Sequence, residues 1–211
     1  HVEGARRIAR AAKQANIRSL VHISSISAAP HSKANYARSK AEGEAAVREE
    51  FPKAVLLRPS IIFGPEDNFF NLFASLARLV PALPLIGGGK TRMQPVFVSD
   101  VAEAIVSVLD SHSGKTFELG GPQIFTYREL MERILKAIER QCLLISVPFW
   151  AARVKAFFLE RLPKPLLTRD QVRLLEYDNI VSKNAKTFAD LGITPTPLDT
   201  VLPNYLARFR P

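Results

Sequence analysis

The sequence has one cysteine, one tryptophan and two methionines in 211 residues, and it lacks both a long apolar run and a block of like charges. A lone thiol, Cys142, forms no internal disulfide, so stability must come from packing and nothing marks an oxidising compartment. No apolar stretch approaches the roughly 20 residues of a membrane-spanning helix, which points to a soluble or peripheral protein. The net charge is +9, from 29 Lys and Arg against 20 Asp and Glu, but the basic residues are scattered along the chain. Nucleic-acid binding needs a clustered footprint, so no nucleic acid is expected as partner. His1, His22, His31 and His112 do not fall at metal-ligand spacing, and one cysteine cannot complete a zinc site with them, so no metal is expected either. What the chain does have is 47% hydrophobic residues, enough for a substantial core or for one domain and a smaller lobe.

The chain begins at His1 without a Met and goes straight into a helical pattern, Val2, Ala5, Ile8, Ala12, which reads as a fragment whose targeting sequence and earlier elements lie upstream. Residues 2–15 predict a helix, 19–23 a short strand ending in Ser24-Ser25-Ile26-Ser27, 35–50 a second helix and 54–58 an apolar strand. This αβαβ order implies an α/β protein with a doubly wound parallel sheet. Beyond Pro59 the pattern predicts a helix over 69–79 and a loop from Pro81 through Pro84 to Gly87-Gly88-Gly89. A strand at 96–98 should be followed by a helix over 101–109 capped by Ser99 or Asp100, then a strand at 116–119. Thr126 and Glu129 form a capping box for a helix running to about Arg140. From Cys142 onward the chain is punctuated by proline and reads as mostly helical or irregular.

Tyr36 and Lys40, four residues apart near the start of the second helix, share one helix face. A phenol, with an ordinary pKa near 10, is a poor acid–base catalyst at neutral pH, and an adjacent ammonium favours its phenolate. The same lysine can hydrogen-bond a ribose hydroxyl, while a serine hydroxyl holds a substrate oxygen beside the phenol. Such a set suits hydride transfer to or from a carbonyl. Alone, the spacing also fits an ordinary helix-start aromatic and a solvated lysine.

The context is more specific. His22-Ile23-Ser24-Ser25, then Tyr36 to Glu44, then Leu57-Arg58-Pro59-Ser60-Ile61-Ile62-Phe63-Gly64-Pro65, then Val98-Ser99-Asp100-Val101-Ala102, resembles the extended and atypical short-chain dehydrogenase/reductase family, the epimerase/dehydratase group, in order and spacing. Within it, Phe70 to Ala74, Gln94 to Val98, Gly114 to Phe117, Thr168 to Val172, and Asp190 to Ile193 followed by Pro197-Leu198 are most similar to the nucleotide-binding accessory subunits of respiratory complex I and their bacterial homologues. The resemblance implies the C-terminal half of a Rossmann-like sheet with a smaller, mostly helical C-terminal lobe: residues 1–65 in the dinucleotide domain, 66–95 an excursion to the smaller lobe, 96–125 a return, and 126–211 the helical lobe. It also implies NADP or NAD as cofactor. Tyr36, Lys40 and Ser25 match the family's catalytic set, with Ser24 and Ser27 as neighbours of the serine position. Ser24, Tyr36, Lys40 and the segment Pro59, Ser60, Ile61, Ile62 match the nicotinamide side of the cofactor site.

The family's Gly-rich pyrophosphate turn, and the residue that selects NAD or NADP, belong to a part on the order of 100 residues expected before His1. Sugar-nucleotide members place an arginine seven residues before the position of Asp100; here that position is Met93, with Arg92 beside it. In an extended stretch the two aim at opposite faces, which lowers the sugar-nucleotide reading. Gly89-Lys90-Thr91 imitates the end of a P-loop, but Pro84 stands where the motif needs its first glycine.

Phe149, Trp150, Val154, Phe157, Phe158 and Leu162 recur at near-helical spacing over 148–162, with Pro148 suited to the first turn and Arg153, Lys155, Arg161 and Lys164 alongside. Such a stripe packs in a core in most proteins; a basic amphipathic helix can instead lie on an anionic membrane surface or a partner's groove. The resemblance to a complex I subunit favours that surface role. It further implies complex I subunits as partners, a mainly structural or assembly role, and a place in the cytoplasm or on the matrix side, peripheral to the inner membrane. The alternative is an active oxidoreductase or epimerase/dehydratase using Ser25, Tyr36 and Lys40 on a small or lipophilic substrate.

Overall fold

The structure is a computed structural model that describes residues 2–163 and 165–211. His1 and Lys164, both used in the sequence reading, lie outside the described residues. Helix α1 (Val2–Gln14) leads into strand β1 (Val21–Ile23), helix α2 (Asn35–Glu50) and strand β2 (Val55–Pro59). Strands β1 and β2 pair in parallel, and β2 pairs in parallel with β7 (Thr116–Leu119), so β2 is central. Alternation along β2 sends Leu56 to one face, where α1 and α2 cover it through Ala9, Val47 and Phe51. Val55 and Leu57 go to the other face, against Val101, Ala104 and Val108 of α4 (Val98–Val108). Helices on both faces of a parallel sheet give the expected doubly wound arrangement.

Between β2 and α4 run β3 (Ile62–Phe63), α3 (Phe70–Leu79), β4 (Ala82–Ile86), β5 (Arg92–Met93) and β6 (Val96–Phe97). After β7 come β8 (Phe125–Thr126), α5 (Tyr127–Ala137), β9 (Leu143–Val147), α6 (Phe149–Leu159), α7 (Arg169–Leu174) and α8 (Leu198–Leu206). A second core joins α3, α5 and α8 through Phe70, Leu130, Ile134 and Leu202. Between α7 and α8 the chain touches the main sheet again: Phe188 and Ile193 pack beside Phe117 and Leu119.

Several expectations need correction. The predicted loop at Pro81–Gly89 is strand β4 with a short turn after it, and the stretch after Cys142 opens with strand β9, its parallel partner. Proline is tolerated in β4 because, among the described residues, β9 is the strand's one neighbour, so the missing N–H breaks no second ladder. Helix α4 starts at Val98, and Asp100 does not cap it; the buried carboxylate instead accepts from the Thr196 N–H at 2.6 Å and hydroxyl at 2.8 Å. Pro148 stands just before α6, in extended conformation, rather than within its first turn. The stripe of α6, for which core and surface readings both stand open in the sequence, has Phe149 packed inward and its other aromatics exposed. The helix's small residues Ala152 and Ala156 also pack inward, leaving Trp150 70% and Phe158 64% exposed. The Thr126–Glu129 capping box is present at α5 as expected.

Candidate functional site

The ladder fixes where the polar residues emerge. Ser24 N–H still bonds Leu57 O at 2.7 Å, Ile26 N–H bonds Pro59 O at 3.1 Å and Ser60 N–H bonds Leu119 O at 2.9 Å. The serines after β1 and the Pro59–Ile62 segment after β2 therefore come off neighbouring strands at the carboxyl edge of the sheet, where doubly wound folds place ligands. There a cleft of about 970 Å³ is lined by Ser24, Ser25, Ser27, Tyr36, Lys40 and Pro59 through Ile62, so every residue expected at the site borders one space.

Helix α2 sets the phenol and the ammonium. Lys40 Nζ lies 5.8 Å from the centroid of the Tyr36 ring and donates to Ile23 O at 3.3 Å. Burial holds the lysine below its usual range, and Glu44, one turn further on, works against that shift. Glu44 is itself buried and takes two bonds from Arg58, at 2.6 and 2.8 Å; Arg58 also reaches Glu118 at 3.6 Å. Beside this cluster on β1, His22 is pushed below the usual imidazole range by burial first and by Lys40 second.

The three serines differ. Ser25 and Ser27 hydroxyls lie 2.9 Å apart and share a hydrogen bond. Ser24 is 3% exposed, and its Oγ finds no partner among the described residues, although it borders the cleft. A buried hydroxyl left this way costs free energy, so it is a natural acceptor or donor for a bound molecule. Ser60 contributes backbone to the cleft wall while its hydroxyl is bound to Asn179, donating to the backbone oxygen at 2.9 Å. These groups suit the nicotinamide end of a dinucleotide: an unsatisfied hydroxyl, an ammonium and a backbone border.

Sequence reasoning missed Asp170. Its carboxylate, on α7, accepts from the N–H groups of Asn35 at 2.6 Å and Tyr36 at 2.9 Å, and so caps α2 from 134 residues away. The helix needs this, because Ala34 at its N-cap has no side chain to offer. That alanine was the available signal. Arg173 adds a bond to Lys33 O at 3.1 Å. Arg92 and Met93 differ as adjacent residues of an extended stretch: Arg92 is exposed and bonded to Asp178, itself a cleft-lining residue, at 2.7 and 2.9 Å, while Met93 is buried and lines the cleft.

A model of the NAD dependent epimerase/dehydratase family matches residues 1–120. The chain belongs to that family. Among its relatives, the mitochondrial subunit 9 of the NADH dehydrogenase (ubiquinone) 1 alpha subcomplex from Arabidopsis thaliana is 36% identical over 98% of this chain and 54% of its own length. The corresponding Mus musculus subunit is 36% identical over 97% of this chain and 55% of its own. The chain thus spans about half the length of these relatives. Among solved structures, dTDP-glucose 4,6-dehydratase from Bacillus anthracis in complex with NAD superposes with a TM-score of 0.71, covering 99% of this chain and 66% of that one at 18% identity. That likeness shows a shared Rossmann-like fold for this epimerase/dehydratase family member. No helix among the described residues is long and apolar enough to cross a membrane.

Proposed function

We propose that the chain supplies the nicotinamide side of an NAD(H)- or NADP(H)-binding site in a complex I accessory subunit whose role is mainly structural or in assembly. The observation that carries this reading is the 36% identity to the Arabidopsis thaliana complex I subunit across 98% of the chain. On it, residues 1–65 and 96–125 belong to the dinucleotide domain and 66–95 and 126–211 to the other lobe, apart from the stretch around Phe188 and Ile193 that packs back on the main sheet. Ser24, Tyr36, Lys40 and the backbone of Pro59, Ser60, Ile61 and Ile62 hold the dinucleotide, and its partners are respiratory complex I subunits. The exposed aromatic face of α6, with Arg153, Lys155 and Arg161 alongside, gives a peripheral contact with an anionic membrane on the matrix or cytoplasmic side.

A second reading is favoured by Tyr36 and Lys40 standing together on the cleft: an active oxidoreductase or epimerase. A bound dinucleotide would supply hydride exchange. Tyr36 Oη would pass a proton to or from a substrate oxygen that the Ser25 hydroxyl holds, and Lys40 would orient the ribose. The test is the complete protein with Tyr36→Phe. Under the structural reading, both forms co-purify with a membrane NADH dehydrogenase, the Tyr36→Phe form holds nucleotide more weakly at most, and no turnover depends on the phenol. A turnover that falls about 10²- to 10⁴-fold with nucleotide still bound establishes the enzyme instead. Deleting 148–162 should release the protein from membranes; unchanged association defeats the membrane contact.

A further inference from the structure

Beyond the serines and the phenol, the cleft changes character. Its far wall is Phe69, Leu72, Phe73, Met93, Leu174 and Leu175, brought together from the α3 region, β5 and α7. Among the described residues that line it there is no arginine, and Lys40 is the one lysine, already at the polar end. A nucleoside diphosphate needs cations or helix N-termini for its two phosphates; Arg92, bonded to the cleft-lining Asp178, is engaged by that carboxylate, and the N-terminus of α2 is already capped by Asp170. At the mouth apolar and polar groups mix, since His31, Asn68, Gln171 and Asp178 also line the cleft and are exposed. Leu166 and Tyr177 line the cleft and are also 50% and 58% exposed. Leu167 and Leu175 wall the cleft while packing against Ala152 and Ala156 of α6, the helix that carries the exposed Trp150 and Phe158.

We propose that, beside the dinucleotide, the cleft binds a lipophilic ligand: one long hydrocarbon chain with a hydroxyl or carbonyl near its end. The oxygen sits beside Ser25 and Tyr36, with the Ser24 hydroxyl left to the dinucleotide. The chain runs along Leu72 and Leu174 toward the mouth at Leu166. The proposal rests on the polar end being the nicotinamide end.

The experiment is calorimetric titration of the complete protein with 2-hexanone, 2-octanone and 2-decanone, with and without NADH or NADPH, and with UDP-glucose as a competitor. Burial of each added methylene should tighten binding about three- to fourfold. Leu72→Asp should abolish binding of 2-decanone. Leu166→Ser, at an exposed position that does not threaten folding, should weaken 2-decanone several-fold and leave 2-hexanone unchanged. Affinity independent of chain length, no ketone binding while NADH or NADPH still binds, or displacement of 2-decanone by UDP-glucose overturns the proposal. Loss of dinucleotide binding with the chain-length dependence intact defeats the nicotinamide reading and leaves the lipophilic cleft standing.

Discussion

Behind the polar wall of the cleft, Arg58 of β2 is bonded twice to Glu44 and lies 3.6 Å from Glu118, whose other oxygen accepts from the Ser182 N–H at 2.8 Å. Behind the apolar wall, Phe70, Leu130, Ile134 and Leu202 meet without a charge among them. The first arrangement depends on every member being present, since removing one leaves the others buried and unsatisfied. The second depends on volume, which several residues can supply. The molecule therefore fixes the groups that would do chemistry by mutual charge, and leaves the surface that would accept a hydrocarbon chain free to be reshaped.

The largest test of that contrast is Arg58→Met, which leaves Glu44 and Glu118 facing each other. It should cost roughly 3 kcal/mol in urea denaturation, whereas the volume-conserving Leu202→Met should cost less than about 1.5 kcal/mol. Equal losses would erase the distinction. Next comes Asp170→Ala, which removes the cap of α2 and should cost about 1 kcal/mol. Faster amide exchange at Asn35 and Tyr36 would report it, and Asp170→Asn should restore part of the loss. Protection unchanged in the alanine variant would show that α2 holds the phenol unaided.

A smaller effect belongs to His22. Burial and Lys40 lower its folded-state pKa, with Glu44 opposing, so the unfolded chain takes up the proton first as pH falls. The neutral ring's contribution is complete above the ordinary value near 6.5 and declines below it until the folded ring is itself protonated. His22→Gln should flatten stability across that window, as read by thermal melts at stepped pH. A slope that persists must come from other groups. Losses nearer pH 4 have a different source: bonding to Arg92 and Arg169 holds Asp178 and Glu160 below the usual carboxylate range, so their support disappears as they protonate. The smallest change in stability, within about 0.5 kcal/mol, is expected for Trp150→Ser. A large destabilisation there would mean that α6 packs by its aromatic face after all.

The polar wall was the readable one. Helix α2 has the bounds its composition predicts, and the serines, Tyr36, Lys40 and the Pro59–Ile62 segment gather on one cleft because each sits beside a strand end or on a helix whose period is visible in the chain. The apolar wall was harder to see. Strand β4 carries Pro84, which masks it locally, and its partner β9 lies near residue 145, where the run Leu143 to Val147 was readable as a strand but had no visible neighbour. Asp100 looks like a helix cap until Thr196 comes back to claim it. Asp170 belongs to α7 by its sequence neighbourhood and to α2 by its bonds. What escaped were pairings between distant segments, which hydrophobic period and turn chemistry do not encode.

The cap on α2 has a consequence for how the protein is made. A ribosome delivers Asp170 134 residues after Tyr36, on the order of ten seconds later at ordinary rates of synthesis. Until then the first turn of that helix has exposed, unanswered amides, and the nascent chain has no finished pocket to offer a nucleotide. Ligand capture should thus be among the last events of its biogenesis.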